Sequence, residues 1–146
     1  MILPDDVAPG LVLRYAYLWA AEAAQGRDEG RKDRPVVVVL KREVVAGASS
    51  VIVAPITHSP PRNGTRAVPM DPRLKARLGL DDEASWIVTD EVNVFVWPGP
   101  DLRPIGGSAG DRCDYGYLPN TVFHEVVAAI ALNRREQRLD LTRRDD

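Results

Sequence analysis

"RPVVVVLKREVVAGASSVIVAPIT", residues 34–57, contains two apolar runs that are rich in β-branched side chains. The runs at 36–40 and 51–56 are too short and too rich in valine for helices. They also lack the alternation of a half-exposed strand, so they predict two strands that are buried on both faces. We expect residues 41–50 to form a ten-residue connection between these strands.

The segments on either side of this pair predict further elements. Upstream, a weakly alternating run predicts a first strand at about 11–18. The small and charged residues at 20–33 predict an extended loop, with a helical turn over its alanines. Downstream, "MDPRLKARLGL" predicts a short helix, because Asp71 can cap it, Pro72 suits its first turn and Gly79 suits its end.

Strand character returns at 85–97, where valines alternate with aromatic or polar residues. Residues 99–117 are rich in Gly, Pro and Asp and predict a loop or linker. The clearest helix pattern lies at 118–139, where Asn120 or Thr121 can provide the cap. The apolar stripe of this helix consists of Phe123, Val126, Val127 and Ile130.

These elements predict one domain, residues 1–146, that is mainly β with a short internal helix and a long C-terminal helix. A chain of this length has room for one core. A small, partly open β-barrel covered by the C-terminal helix is the economical way to pack it. We expect residues 139–146 to be a frayed tail.

Composition narrows the class of protein. The chain is 45% hydrophobic and 27% charged, which is typical of a globular protein. No apolar run approaches the roughly 20 residues that span a bilayer, and no signal-peptide pattern is visible. Cys113 is the only cysteine. We therefore expect a cytoplasmic protein with no membrane contact and no intrachain disulfide.

Charge is unevenly distributed along the chain. The net charge of −2 and the pI of about 5.7 do not indicate general nucleic-acid binding. Residues 59–77, however, carry five basic residues against one acid, whereas residues 81–91 carry five acids and no base. The basic segment either contacts phosphate locally or belongs to a solvated surface of mixed charge.

Three polar residues stand where predicted strands begin or end. Arg34 precedes one buried run, Thr57 follows the next, and Asp90 follows "SWIVT". Arginine offers a permanent planar cation for phosphate oxygens, threonine offers a hydroxyl donor, and aspartate can orient the arginine or accept a proton. A rigid sheet can hold such groups at its rim, although polar residues also end strands for structural reasons alone.

The order of these blocks carries a family resemblance. "PGLVL" is followed by "RPVVVVL", "VAPIT" and "SWIVTDEVNVF", and the series over residues 9–132 resembles the MazF/PemK family of toxin endoribonucleases. The resemblance implies a small SH3-like β-barrel with helices. It also implies a homodimer that binds RNA across its groove, and a cognate antitoxin that blocks this groove.

The resemblance further implies a mechanism for cleaving single-stranded RNA. The ribose 2′-OH attacks the adjacent phosphorus and leaves a 2′,3′-cyclic phosphate and a 5′-OH. No metal ion or other cofactor is required, because the nucleophile belongs to the substrate. Arg34 and Thr57 match the family's arginine and threonine at the scissile phosphate, and Asp90 matches an acidic position found in part of the family.

Four basic residues near these blocks are candidates for binding RNA phosphates: Arg31, Lys32, Arg62 and Arg66. For Arg62 and Arg66, a solvated loop is an equal alternative. His58 departs from the family pattern, which often has serine or glutamine after the threonine. It is either a catalytic general acid or base, since imidazole exchanges protons near neutral pH, or a loop histidine bonded to backbone.

A second hypothesis is that the barrel is catalytically inactive and acts as a protein- or nucleic-acid-binding module. Val88 stands where one family branch has arginine, and the loop at 20–33 is longer than usual. The same fold also serves a gyrase-poisoning toxin, so the resemblance alone does not fix the target. We expect no metal site, because His58, His124 and Cys113 lack ligand spacing.

Overall fold

Eight strands and three α-helices follow one another in the described part of the chain. The computed structural model describes residues 1–28, 30, 32–45, 47–62 and 65–144, so Arg31 lies outside the described residues. The strands are β1 (Leu11–Tyr15), β2 (Arg34–Val45), β3 (Ala48–Thr57), β4 (Val68–Pro69), β5 (Trp86–Ile87), β6 (Glu91–Val96), β7 (Asp114–Tyr117) and β8 (Asp140–Arg143). The helices are α1 (Ala20–Ala24), α2 (Pro72–Leu78) and α3 (Asn120–Arg135).

A long antiparallel hairpin of β2 and β3 lies at the centre of the sheet. The buried run at 36–38 pairs with 53–55, as the two apolar runs predict. The expected ten-residue connection is wrong, because residues 41–45 and 48–50 continue the ladder. Charged residues at 41–43 and small residues at 48–50 interrupt the apolar pattern, although Val44 and Val45 lie between them, so backbone pairing extends the ribbon without an apolar run.

The sheet curls, and side chains from both of its faces are buried. Its strands follow the order β4-β5-β3-β2-β1-β7, and β6 pairs with β3 and, in parallel, with β8. Val36 and Val38 belong to one core cluster with Tyr15, whereas Val37 belongs to a second cluster that includes residues of α2 and α3. The prediction of strands buried on both faces is confirmed, and so is the mainly β barrel-like fold with a long C-terminal helix.

The short helix α2 begins and ends as its sequence predicts. The Asp71 carboxylate accepts a hydrogen bond from the backbone N–H of Arg73 at 2.7 Å, with Pro72 in the first turn. Gly79 ends the helix at φ 76°, in the left-handed region that glycine adopts without strain. Among the described residues, no helix combines the length and apolar character needed to cross a membrane.

The long helix α3 differs from its predicted pattern at two points. Pro119 is the capping residue, so the prediction of Asn120 or Thr121 is wrong. The ring of Pro119 fixes its φ, and its extended ψ places it just before the helix, so that α3 already begins at Asn120. Val126 is fully buried, but Val127 is exposed, because neighbouring helical residues are rotated by about 100° and only one of them can face the core.

Outside the central hairpin, the structure agrees with one predicted element and differs from two others in extent. The helical turn expected over the alanines exists as α1. β1 ends at Tyr15 rather than near 18, although the residues that follow it stay buried. The expected loop at 99–117 contains β7 at its end, where Gly116 adopts φ 113° within the pairing to β1. The loop prediction therefore holds for residues 99–113 apart from a short 3-10 turn, whereas Gly116 belongs to an irregular strand.

The expected frayed tail is also wrong for its described residues. β8 pairs in parallel with β6, and Arg144 is buried after it. The Arg144 guanidinium donates to the backbone oxygen of Ala16 at 2.8 Å and to Asn93 Oδ1 at 3.2 Å. It also lies 3.1 Å from Asp101 Oδ1. The tail is held by a buried ion pair, which a run of charged residues does not reveal.

Arg144→Ala tests this anchor. We expect it to lower the free energy of unfolding by about 3–5 kcal/mol, because it leaves the buried Asp101 carboxylate without its cation. Arg143→Ala removes an exposed arginine from the neighbouring position and should change stability by less than about 0.5 kcal/mol. Urea unfolding measures both values, and equal effects would contradict the anchoring role.

Candidate functional site

A cavity of about 500 Å³ is bordered by the first residue of β2, the last residue of β3 and the beginning of β6. Trp19, Val88 and Glu91 also contribute to its wall. Most of the residues proposed from the sequence come together here. Those that border the cavity are Lys32, Arg34, Thr57, His58, Arg62 and Asp90.

The register of β2 and β3 brings Arg34 and Thr57 together. Val36 pairs with Pro55, and the residues two positions further along each strand toward the rim are Arg34 and Thr57. Side chains two residues apart in a strand point to the same face. The predicted arginine and threonine therefore leave adjacent strand ends toward the same cavity.

The Thr57 hydroxyl is oriented by the turn that follows β3. Its Oγ1 accepts the backbone N–H of Ser59 at 3.2 Å. Accepting this hydrogen bond leaves the hydroxyl proton available to an oxygen ligand in the cavity. The local turn thus fixes a donor at the end of a buried strand.

The Arg34 guanidinium lies over the indole ring of Trp19, with 4.8 Å between Cζ and the ring centroid. Its Nε is buried and has no hydrogen-bond partner among the described residues. Burial lowers the pKa of Arg34, and the nearby Glu22 and Glu91 oppose this shift, but arginine stays charged at neutral pH. The site therefore presents a partly desolvated cation with an unused donor, which suits an anion.

The Asp90 carboxyl has the properties of a proton acceptor. Partial burial raises its pKa, and the negative charge of Asp140 raises it further, while the charge of Arg62 acts in the opposite direction. A carboxylate whose pKa lies above its usual range binds a proton more readily than an exposed aspartate. Asp90 can therefore take a proton from a hydroxyl group in the cavity.

Glu91 is a second carboxylate of the cavity wall that the sequence interpretation missed. Its Oε1 accepts hydrogen bonds from the Tyr17 hydroxyl and the Ala20 backbone N–H, both at 3.0 Å. Burial raises its pKa despite these bonds. The only signal in the sequence was its position beside Asp90, since its partners are more than 70 residues away. Glu91 ties the start of α1 to the rim of the sheet.

His58 contacts carboxylates rather than backbone. Its Nε2 lies 2.8 Å from Asp81 Oδ2, and its Nδ1 lies 3.8 Å from Glu83 Oε2. These three side chains are also the ones among the described residues whose atoms could together bind a metal ion, since the atoms lie within 4.8 Å of one another. The ammonium of Lys75, 2.6 Å from Asp81 Oδ1, already neutralises Asp81 and favours an ion pair over a metal site.

Asp81 stays ionised because of its partners. Partial burial raises its pKa, but hydrogen bonds from Lys75 and the backbone N–H of Glu83 outweigh this effect and hold the pKa below its usual range. Lys75 is only 3% exposed. Lysine is seldom buried unless its charge is paired, and removing the partner of a buried charge is costly. The contact with Lys75 therefore holds Asp81, and with it the loop after α2, in place.

One of the predicted RNA-binding residues, Arg66, does not border the cavity, and another lies outside the described residues. Arg66 donates to Asn133 Oδ1 and to Glu136 Oε2, both at 2.8 Å, and so fastens the β3–β4 segment to α3. Arg31 lies outside the described residues. Lys32 and Arg62 border the cavity with exposed side chains and remain available to phosphate.

A family model describes PemK-like, MazF-like toxins of type II toxin–antitoxin systems, and it matches residues 16–96, more than half of the chain. The chain belongs to this family. The matched range contains Arg34, Thr57, His58 and Asp90, so the residues that border the larger cavity all lie within the range that the family model matches. No curated protein matches the chain.

Asp90→Asn tests the electrostatic cost of this PemK-like site. Because the pKa of Asp90 is higher in the folded protein, wild type loses stability as pH rises through that folded pKa. The neutral amide avoids this loss, so we expect Tm to rise by about 1–3 °C at pH 7. The difference should vanish below about pH 3.9, where the unfolded carboxyl is protonated too.

Thermal melts between pH 3 and pH 8 measure this effect. Asp82→Asn, which changes an exposed aspartate outside the cavity, is the matched control and should show no comparable pH-dependent gain. A lower Tm for Asp90→Asn at pH 7 would show that the Asp90 carboxylate stabilises the fold instead.

Proposed function

We propose that this PemK-like chain is a toxin that cleaves single-stranded RNA without a metal ion, by attack of a ribose 2′-OH on the adjacent phosphorus. The observation that supports this most is the Arg34 guanidinium, whose buried Nε has no hydrogen-bond partner among the described residues, beside the oriented hydroxyl of Thr57. The products are a 2′,3′-cyclic phosphate and a 5′-OH.

Charge stabilisation is assigned to Arg34 and Thr57. The pentacovalent phosphorane carries more negative charge on its non-bridging oxygens than the starting phosphodiester. Donors that are already in position stabilise this charge without reorganisation, and they are most effective where water is excluded. Arg34 offers a partly buried cation, and Thr57 offers a hydroxyl proton at the same rim.

Proton removal from the 2′-OH is assigned to Asp90. Its raised pKa makes it a better base than an exposed aspartate, and it borders the same cavity as Arg34 and Thr57. A general base of this kind contributes roughly 10²–10⁴-fold to the rate. Glu91 is committed to Tyr17 and Ala20, so the role falls to Asp90.

Two connected cavities support an extended RNA path. A second cavity of about 350 Å³ shares Lys32, Arg34 and His58 with the first, and its wall includes Arg14 and Tyr115. A phosphate bound by Arg34 would have room for one nucleotide on either side. Basic side chains along the backbone and aromatic rings are the usual components of single-strand binding, although Tyr115 here is partly buried against the second core cluster.

The partners that we propose are a second copy of the chain and a cognate antitoxin, in the cytoplasm. Exposed apolar side chains on the β2–β3 hairpin support a protein partner. Leu40, Val44 and Val45 are 47%, 58% and 65% exposed. Such a group of exposed apolar residues is typical of an interaction surface.

The alternative is a binding module without nuclease activity. It is favoured by the two acids, Asp90 and Glu91, in the cavity wall. It is also favoured by Val88 beside them, which supplies no cation at this position. These acids oppose the approach of an RNA phosphate. The alternative predicts that growth and the cellular RNA profile are unchanged when the chain is expressed without an antitoxin.

Arg34→Ala and Thr57→Ala should each reduce RNA cleavage by about 10²–10³-fold, because each removes a donor to the phosphorane. Purified protein is incubated with single-stranded RNA in the presence of EDTA, and fragments are analysed for cyclic phosphate ends. Arg73→Ala, which changes an exposed arginine of α2 away from the cavity, is the matched control. Full activity of both rim variants would refute the assignment, and an inactive wild type would favour the binding module.

Lys32→Ala and Arg62→Ala should each weaken RNA binding in a salt-dependent way. Loss of one phosphate contact to a single strand reduces the slope of log K against log salt by about 0.7. Binding is measured with RNA carrying 2′-O-methyl groups, which cannot be cleaved. Arg66→Ala should leave the slope unchanged, because this side chain is bound to Asn133 and Glu136. A reduced slope for Arg66→Ala would instead make Arg66 a phosphate contact.

A further inference from the structure

His58 occupies the junction of the two cavities. It borders the larger cavity together with Thr57, and it borders the smaller cavity together with Asp81 and Lys75. Arg34 also borders both cavities. The imidazole therefore lies beside the position at which Arg34 would hold a phosphate.

Asp81 fixes the imidazole of His58 in one orientation. Its Oδ2 is 2.8 Å from Nε2, and its Oδ1 accepts a hydrogen bond from Lys75 Nζ at 2.6 Å. Lys75 is itself fixed, because its buried Nζ also donates to Ser85 Oγ at 2.6 Å and to the backbone oxygen of Glu83. A buried cation, a carboxylate and a half-exposed imidazole thus form one hydrogen-bonded chain.

The second ring nitrogen of His58, Nδ1, takes no part in the hydrogen bonds that link Lys75, Asp81 and His58. Nδ1 lies 3.8 Å from Glu83 Oε2, which is longer than a hydrogen bond, and both side chains are exposed. A carboxylate on one nitrogen of a histidine fixes the tautomer and leaves the other nitrogen to exchange protons with a substrate. Nδ1 is the atom that can do so here.

We propose that His58 is the general acid of RNA cleavage and that Asp81, held by Lys75, is its positioning residue. This inference rests on the proposed nuclease function. As the 2′ oxygen bonds to phosphorus, its proton goes to the Asp90 carboxylate and the bond from phosphorus to the 5′ oxygen breaks. His58 acts as the imidazolium, protonated on both nitrogens: Nδ1 gives its proton to the departing oxygen and leaves a neutral ring whose remaining proton is on Nε2, toward Asp81. Exchange with water then returns Asp90 and His58 to their starting forms.

The places of His58 and Asp90 along the path support this division of roles. An in-line displacement requires the attacking and leaving oxygens on opposite sides of phosphorus. Asp90 borders the larger cavity, whereas His58 stands where this cavity meets the smaller one. Since Asp90 borders only the larger cavity and His58 borders both, we assign Asp90 to the attacking oxygen and His58 to the leaving oxygen.

RNA with sulfur in place of the scissile 5′ oxygen tests the general acid, because a thiolate leaves without being protonated. His58→Gln should reduce single-turnover cleavage of ordinary RNA by about 100-fold and should cleave the sulfur-substituted RNA at nearly the wild-type rate. Asp81→Asn should lose about tenfold on ordinary RNA and should be rescued in the same way. Arg34→Ala should not be rescued, since it stabilises charge rather than transferring a proton.

Asp82→Asn is the matched control from the same loop and should cleave both substrates like wild type. Circular dichroism and thermal melting establish that each variant is folded. Equal losses of His58→Gln on both substrates would overturn its role as the acid, and equal losses of Asp81→Asn would overturn positioning, while the nuclease function would stand. A wild type that cleaves neither substrate would refute the proposed function itself.

Discussion

The antiparallel pairing of residues 36–38 with 53–55 is the constraint on which the rest of the structure depends. β-Branched side chains on both faces of these strands are buried in two separate core clusters, so a shift of register would exchange the clusters. The same pairing places the first residue of β2 beside the last residue of β3. Because β3 also pairs with β5 and β6, Thr57 and Asp90 are attached to a strand that is paired along its length with three others.

The predictable part of the site is the part attached to this hairpin. Arg34 and Thr57 could be found because buried runs mark the strand ends beside them. Lys75 and Asp81 could not, since their contact depends on how the loop after α2 folds back, and hydropathy assigns a lysine to the surface. The strand β8, which Arg144 follows, was missed for a related reason, because a buried ion pair has the same composition as a solvated tail.

The basic residues at 59–77 do not form one basic surface in the folded protein. Arg66 is bound to α3 and Lys75 is buried against Asp81, so two of the five bases in residues 59–77 are already neutralised within the protein. Arg62 alone among these five borders the larger cavity in the described structure. In the proposed function, attraction for RNA would therefore depend on a few cations near Arg34 rather than on a broad field, which agrees with the acidic pI of about 5.7.

The cavity rim holds groups that are costly to the free protein. Arg34 has a buried donor without a partner among the described residues, and burial raises the pKa of both Asp90 and Glu91. Such costs concentrate at functional sites, and an anionic ligand would relieve the one at Arg34. A phosphate would give Arg34 Nε its acceptor and bring a negative charge near Asp90. That charge would raise the pKa of Asp90 further, and it would make the carboxylate a stronger base when the substrate of the proposed reaction is bound.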